Sequence, residues 1–207
     1  MKRIIYILTV LVLSACGTES KIPKDVKWEI TKEEPDEALS KNRLEINLNK
    51  KVDETILKKI ALKIRSSRIQ YNNLWIFYYV SNITNGTWAT THFIPNLKVK
   101  IIGSTDKEDK ENSKTEGING EILGKWICEN SLMGATLILF EDSKGILKMS
   151  IASKYGKNTR EIKKTTVGGK TKYKDDNSFG EYYMLESNGN LGMYSNDGKF
   201  DEAVIIK

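Results

Sequence analysis

Apolar and polar residues follow three rhythms along the chain. Residues 4–13 are an almost unbroken apolar run behind Lys2 and Arg3. From Val26 onward short alternating stretches take over, and from about Gly120 they recur evenly between turn residues. Val26-Lys27-Trp28-Glu29-Ile30 alternates as a strand, whereas residues 31–42 are charged and contain Pro35. That stretch predicts a loop or a short helix opening at Pro35-Asp36-Glu37. Residues 43–49 place Leu44, Ile46 and Leu48 on one strand face. Asp53 is a candidate N-cap, with Glu54 in the first turn of a helix of about fifteen residues. Its apolar stripe is Ile56, Leu57, Ile60, Ala61 and Ile64, with Lys58, Lys59, Lys63 and Arg65 toward water.

Residues 74–80 are apolar and aromatic throughout, as expected of a central strand covered on both faces. A turn at 82–86 leads into a strand at 88–93, and another strand follows at 97–102. Residues 26–103 therefore predict a small α+β domain, one helix packed on an antiparallel sheet. Residues 104–119 hold one apolar residue, Ile118, among Lys, Glu, Asp, Asn, Ser and Thr. Such a segment buries too little to order itself, so it reads as a charged linker. Residues 120–207 predict an all-β antiparallel meander with strands at 125–129, 135–141, 146–151, 159–166, 171–174, 181–185, 191–195 and 200–206. Their spacing suits a small barrel or a sandwich.

Gly124-Lys125-Trp126 is similar to the Gly-x-Trp motif that opens lipocalin barrels. The resemblance implies that Trp126 closes one end of a barrel, and that the barrel holds a small apolar ligand. Eight strands this short enclose an interior that side chains can fill by themselves.

The start of the chain carries a second resemblance. A basic n-region, an apolar run too short to span a bilayer and a small-residue junction mark residues 1–15 as a secretory signal peptide. Leu13-Ser14-Ala15-Cys16 resembles the lipobox of bacterial lipoproteins. The resemblance implies diacylglyceryl attachment at Cys16, cleavage before it and acylation of the new amino group. Cys16 then joins the protein to the outer membrane or the cell membrane of a bacterial envelope, with residues 16–25 as tether. Two or more acyl chains give a long-lived attachment.

Composition adjusts this picture only slightly. Hydrophobic residues make up 39% of the 207, enough for packed cores, and the formal charge is +6. Without Lys2 and Arg3 the surplus falls to +4, a modest attraction to anionic surfaces. With Cys16 acylated, Cys128 stands alone and no intramolecular disulfide can form. Its strand-like context reads as a small buried hydrophobe.

Candidate chemistry is sparse. Val167-Gly168-Gly169-Lys170-Thr171 has Lys164 where a phosphate-binding loop requires its first glycine, and reads as a hairpin turn. Asp175, Asn177, Gly180 and Glu186 match four positions of a calcium loop, but Phe179 occupies a ligand position between strands. His92, the one histidine, would need oriented partners to act as a base. No metal, cofactor or nucleic acid is expected. The aromatic group Trp75, Phe77, Tyr78, Tyr79, Trp88 and Phe93 is mainly core, yet one alternating subset can sit on an open sheet face. The expectation is a non-catalytic, lipid-anchored binding module for an envelope protein or glycan. A carrier of an apolar ligand and a hydrolase using His92 are the alternatives. Trp126, Trp88 and Tyr78 are the candidate ligand contacts.

Overall fold

The computed structural model describes residues 21–81, 83, 86–175 and 179–206. Its first sheet contains β1 (Trp28–Asp36), β2 (Lys41–Leu48), β3 (Asn73–Val80), β4 (Ala89–Phe93) and β5 (Leu97–Ile101), side by side in that order. Helix α1 (Glu54–Ser66) connects β2 to β3. Asp53 caps it by accepting the Ile56 N–H at 2.8 Å. Leu57, Ile60, Ala61 and Ile64 bury the helix stripe against Leu44, Ile46, Leu74, Ile76 and Tyr78 of the sheet.

The α+β expectation, a helix on an antiparallel sheet, is overturned. Among the described residues the chain is mostly strand, with thirteen strands in two sheets and only two short helices. The first sheet is mixed, because β2 and β3 run parallel. A connection through a helix returns the chain to its starting end, and parallel pairing needs that return. The segment read as a loop or short helix continues β1 out to Asp36, with a bulge between Ile30 and Lys32. Pro35 is tolerated there because β1 is an outer strand, where a missing N–H breaks no ladder.

The second sheet comprises β6 (Gly120–Cys128), β7 (Ala135–Asp142), β8 (Leu147–Ser153), β9 (Gly156–Val167), β10 (Lys170–Asp175), β11 (Tyr182–Leu185), β12 (Leu191–Ser195) and β13 (Gly198–Ile205). It closes as an antiparallel eight-stranded barrel, β13 meeting β6 through Val204↔Ile127 and Ile205↔Trp126. Barrel, not sandwich, is the outcome. Its interior is packed with Trp126, Cys128, Leu137, Leu139, Met149 and Ile162, among others. Gly124 lies against the Trp126 ring, so a Cβ there would come within 2.1 Å of it.

The charged stretch 104–119 is not structureless: it contains helix α2 (Asp106–Asn112). Thr105 and Glu108 form a reciprocal capping box that composition alone concealed. The helix lies on the outer wall of β7 and β8. A buried cation joins this helix to both sheets. Lys51, 6% exposed, donates to Ser104 Oγ at 2.9 Å, Asp109 Oδ2 at 2.7 Å and Glu129 Oε1 at 2.6 Å. Three further bonds form at the same junction. The Trp88 indole N–H donates to Ser104 O at 2.8 Å, and Lys154 Nζ donates to Ile101 O and Gly103 O at 2.8 and 2.7 Å. Burial holds the Glu129 carboxyl above its usual range despite the ammonium beside it. Replacing Lys51 by Met leaves two carboxylates facing each other without their cation. The variant should lose about 3–5 kcal/mol of stability in denaturant titrations, whereas Lys58→Met on the solvent side of α1 should stay within about 0.5 kcal/mol.

Candidate functional site

Strand alternation sends one set of side chains on β2, β3 and β4 toward α1 and the other set to the opposite face. That opposite face carries Trp75, Phe77 and Tyr79 along β3, all half-buried. Register then builds two rows across the sheet. In one, Glu34, Arg43, Trp75, His92 and Lys98 are successive neighbours. In the next, Glu45, Phe77, Thr90 and Lys100 are.

The rings stack on one another. Trp75 and His92 are 5.0 Å apart between centroids with a 9° interplanar angle, and Phe77 tilts against His92 at 6.1 Å. Lys41 Nζ lies 4.3 Å from the Trp75 centroid, and the Arg43 guanidinium 4.8 Å from that of Phe77. Each Trp75 face is thus occupied, one by imidazole and one by ammonium. Arg43 is further tied to Glu34 and Glu45 at 2.7 and 2.9 Å. Lys41, Lys98 and Lys100 have no carboxylate partner among the described residues. The face therefore offers ring edges bordered by cations. Trp75, between Lys41 and His92, leaves no free ring face on which a sugar or a base would stack.

His92 gives the hydrolase alternative no support. Its Nε2 is buried without a hydrogen-bond partner, as is the Trp75 indole nitrogen. Desolvation pushes the imidazole below its ordinary value of 6.5, and no carboxylate contributes.

The three candidate ligand contacts lie in cores. Tyr78 is fully buried, with its hydroxyl 3.0 Å from Thr91 Oγ1, and burial pushes its ionisation to far higher pH than that of a free tyrosine. Trp88 is 2% exposed and bonded to Ser104 O. Trp126 is 3% exposed and donates to Gly189 O at 2.8 Å, pinning the turn between β11 and β12 over one barrel end. Its ring shares the barrel core with Leu137, Leu139, Leu191 and Met193. A hollow of about 470 Å³ lies instead at the rim, between Thr171, Tyr173, Met184, Leu185 and Glu186. Half of that lining is polar, so it offers little to an apolar cargo.

Cys16 lies outside the described residues. Cys128 sits buried, and burial pushes its thiol up to about 11 while the S–H donates to Asp201 Oδ2 at 3.1 Å. Such a thiol is inert. Gly168 and Gly169 both take positive φ in the two-residue turn between β9 and β10, as a hairpin requires. Of the calcium-like positions, Asp175 pairs with Arg160, and Glu186 accepts from Tyr194 and Lys199. No group of three His, Cys, Asp or Glu able to hold a metal occurs among the described residues.

No protein-family model matches the chain, and no curated protein or solved structure is significantly similar to it. The closed eight-stranded barrel is compatible, at the level of architecture, with a lipocalin-like fold.

Because the folded-state imidazole is depressed, His92 contributes stability that is fully present above about pH 6.5 and is lost as pH falls toward its folded value. The imidazole signal of this single histidine should titrate below 6.5 in the native protein by NMR. A His92→Asn variant should lose the corresponding slope of stability against pH.

Proposed function

We propose that the protein is an exported lipoprotein, anchored through acylated Cys16, that acts as a non-catalytic binding module. The recognition surface in this reading is the open face of the first sheet, and the partner is an envelope protein presenting acidic side chains. One observation carries the reading: the Trp75–Phe77–Tyr79 ladder is half-buried on a sheet face whose other side is taken by α1, and it is bordered by lysines that have no carboxylate partner among the described residues. Aromatic side chains beside cations are enriched where proteins meet proteins. The stacked rings favour a protein over a glycan, since each Trp75 face is already in contact. Lys98 and Lys100 stand at one border with charge to offer, whereas Arg43 is neutralised by Glu34 and Glu45. The lipobox match at Leu13, Ser14, Ala15 and Cys16 supports the address.

Crosslinking in intact cells followed by mass spectrometry tests this. Partners joined to the native protein should be lost from a Lys98→Glu/Lys100→Glu variant. They should also weaken by on the order of thirtyfold with Trp75→Ala, as for truncation of a central interface aromatic. Circular dichroism checks that both variants fold. Partners that persist in the Lys98→Glu/Lys100→Glu variant, or a neutral glycan as the captured species, would overturn the reading. A Cys16→Ser variant measures how much of the encounter depends on tethering.

A further inference from the structure

The opposite side of the first sheet carries a surface of different chemistry. Helix α1 turns Lys58, Leu62 and Lys63 to solvent, with Lys59 half-buried beside them. Leu62 is 54% exposed, and Ile69, just past the helix, is 76% exposed. The N-terminal segment lies on this same layer. Ile22 and Trp28 pack against the core beneath α1, and Lys63 Nζ is 5.9 Å from the Trp28 ring centroid. Pro23 and Val26 share a groove with Asp53 and Ile56 at the start of the helix. Lys50 lines this groove, and Lys21 and Lys24 are exposed in the segment that flanks Ile22 and Pro23.

Counting Lys107, Lys110, Asp106 and Glu111 of the same groove, eight lysines here face five acids. Asp25 pairs with Lys50, Glu54 pairs with Lys58 at 2.6 Å, and Asp53 caps the helix. A positive surplus around protruding Leu62 and Ile69 matches the interfacial zone of a bilayer: cations meet anionic headgroups while aliphatic tips reach the acyl boundary. We infer that this helix layer is a contact surface for an anionic lipid bilayer. Its orienting role rests on the reading of Cys16 as anchor. Six residues lie between Cys16 and Pro23, so Pro23, beside the start of α1, stays within roughly 25 Å of the anchored residue even at full extension. The arrangement turns α1 toward the lipid and the Trp75–Phe77–Tyr79 face toward the partner. The lipid anchor and the lysine layer then supply the two signals that stable attachment takes.

The test uses the chain from residue 16 onward with Cys16→Ser, so that no acyl chain contributes. It is mixed with vesicles of pure phosphatidylcholine, or with about 30% phosphatidylglycerol added as the anionic lipid. Co-sedimentation should appear only with the anionic vesicles and fade as salt is raised. Lys58→Glu/Lys59→Glu/Lys63→Glu should lower partitioning by about fivefold for each lysine lost. Leu62→Ser/Ile69→Ser should lower it further. Lys98→Glu/Lys100→Glu, on the opposite face, should leave it unchanged. Equal sedimentation with both vesicle types, none with either, or a greater loss from the Lys98/Lys100 pair than from the helix lysines would overturn the inference. Partner crosslinks in the helix variants separate the two readings. Crosslinks that survive while vesicle binding disappears concern the lipid contact alone, and crosslinks that fail while vesicle binding persists concern the partner alone.

Discussion

One ammonium group, that of Lys51, decides how the two halves of the chain meet. Removing it from water is expensive, and three oxygens from three segments compensate: Ser104, Asp109 and Glu129. Those segments are the end of the first sheet, helix α2 and the loop after β6, so satisfying one side chain places all three. The order of a stretch rich in Lys, Glu and Asp follows from this. Residues 106–112 bury no side chain fully, yet Asp109 has a fixed target and Thr105 and Glu108 close the helix start. Asp109 Oδ1, Glu129 Oε2, Thr136 Oγ1 and Ser150 Oγ are also buried there without protein partners. The junction is thus strongly polar, and it holds by geometry more than by apolar area.

A sheet with a helix on one side has two unlike surfaces, and here the difference is chemical as well as geometric. Alternation along β2, β3 and β4 fills one side with aliphatic core and the other with rings and cations. The barrel is more uniform. Its interior side chains, the Gly124–Trp126 contact and the Trp126 bond to Gly189 describe a packed interior. The exposed ring-and-cation chemistry therefore lies on the first sheet, and Glu129 and Lys154 from the barrel half help to place it.

Local pattern made much of the architecture readable. The Asp53 cap, the α1 stripe and the turn-punctuated strands after Gly120 each declare themselves within a few residues. Pairing direction was less accessible. That β2 and β3 run parallel depends on where the chain goes after α1, and no residue within either strand records it. Composition also misled at Thr105–Glu108, where two reciprocal hydrogen bonds outweigh a low apolar content. The open face was visible only in outline. Trp75, Phe77 and His92 stood out by type, but Lys41, Lys98 and Lys100 belong to the same surface through registers set by long-range pairing. Tyr78, Trp88 and Trp126 drew attention as large aromatics, and strand parity or burial put each of them in a core.

The two sheets also differ in what they leave unfinished. Closure removes the ends of the barrel sheet, whereas β1 and β5 leave the first sheet with two open margins of hydrogen-bonding groups. Such margins can recruit strands from neighbouring copies. Here β1 is bent by its bulge, carries Pro35 and bristles with Lys32, Glu33 and Glu34, while β5 alternates Lys98 and Lys100 and has its last carbonyl, that of Ile101, bonded to Lys154. Molecules crowded side by side would repel at these margins instead of fusing into a continuous sheet. The lysines that border the aromatic ladder thus also keep the protein from aggregating with itself.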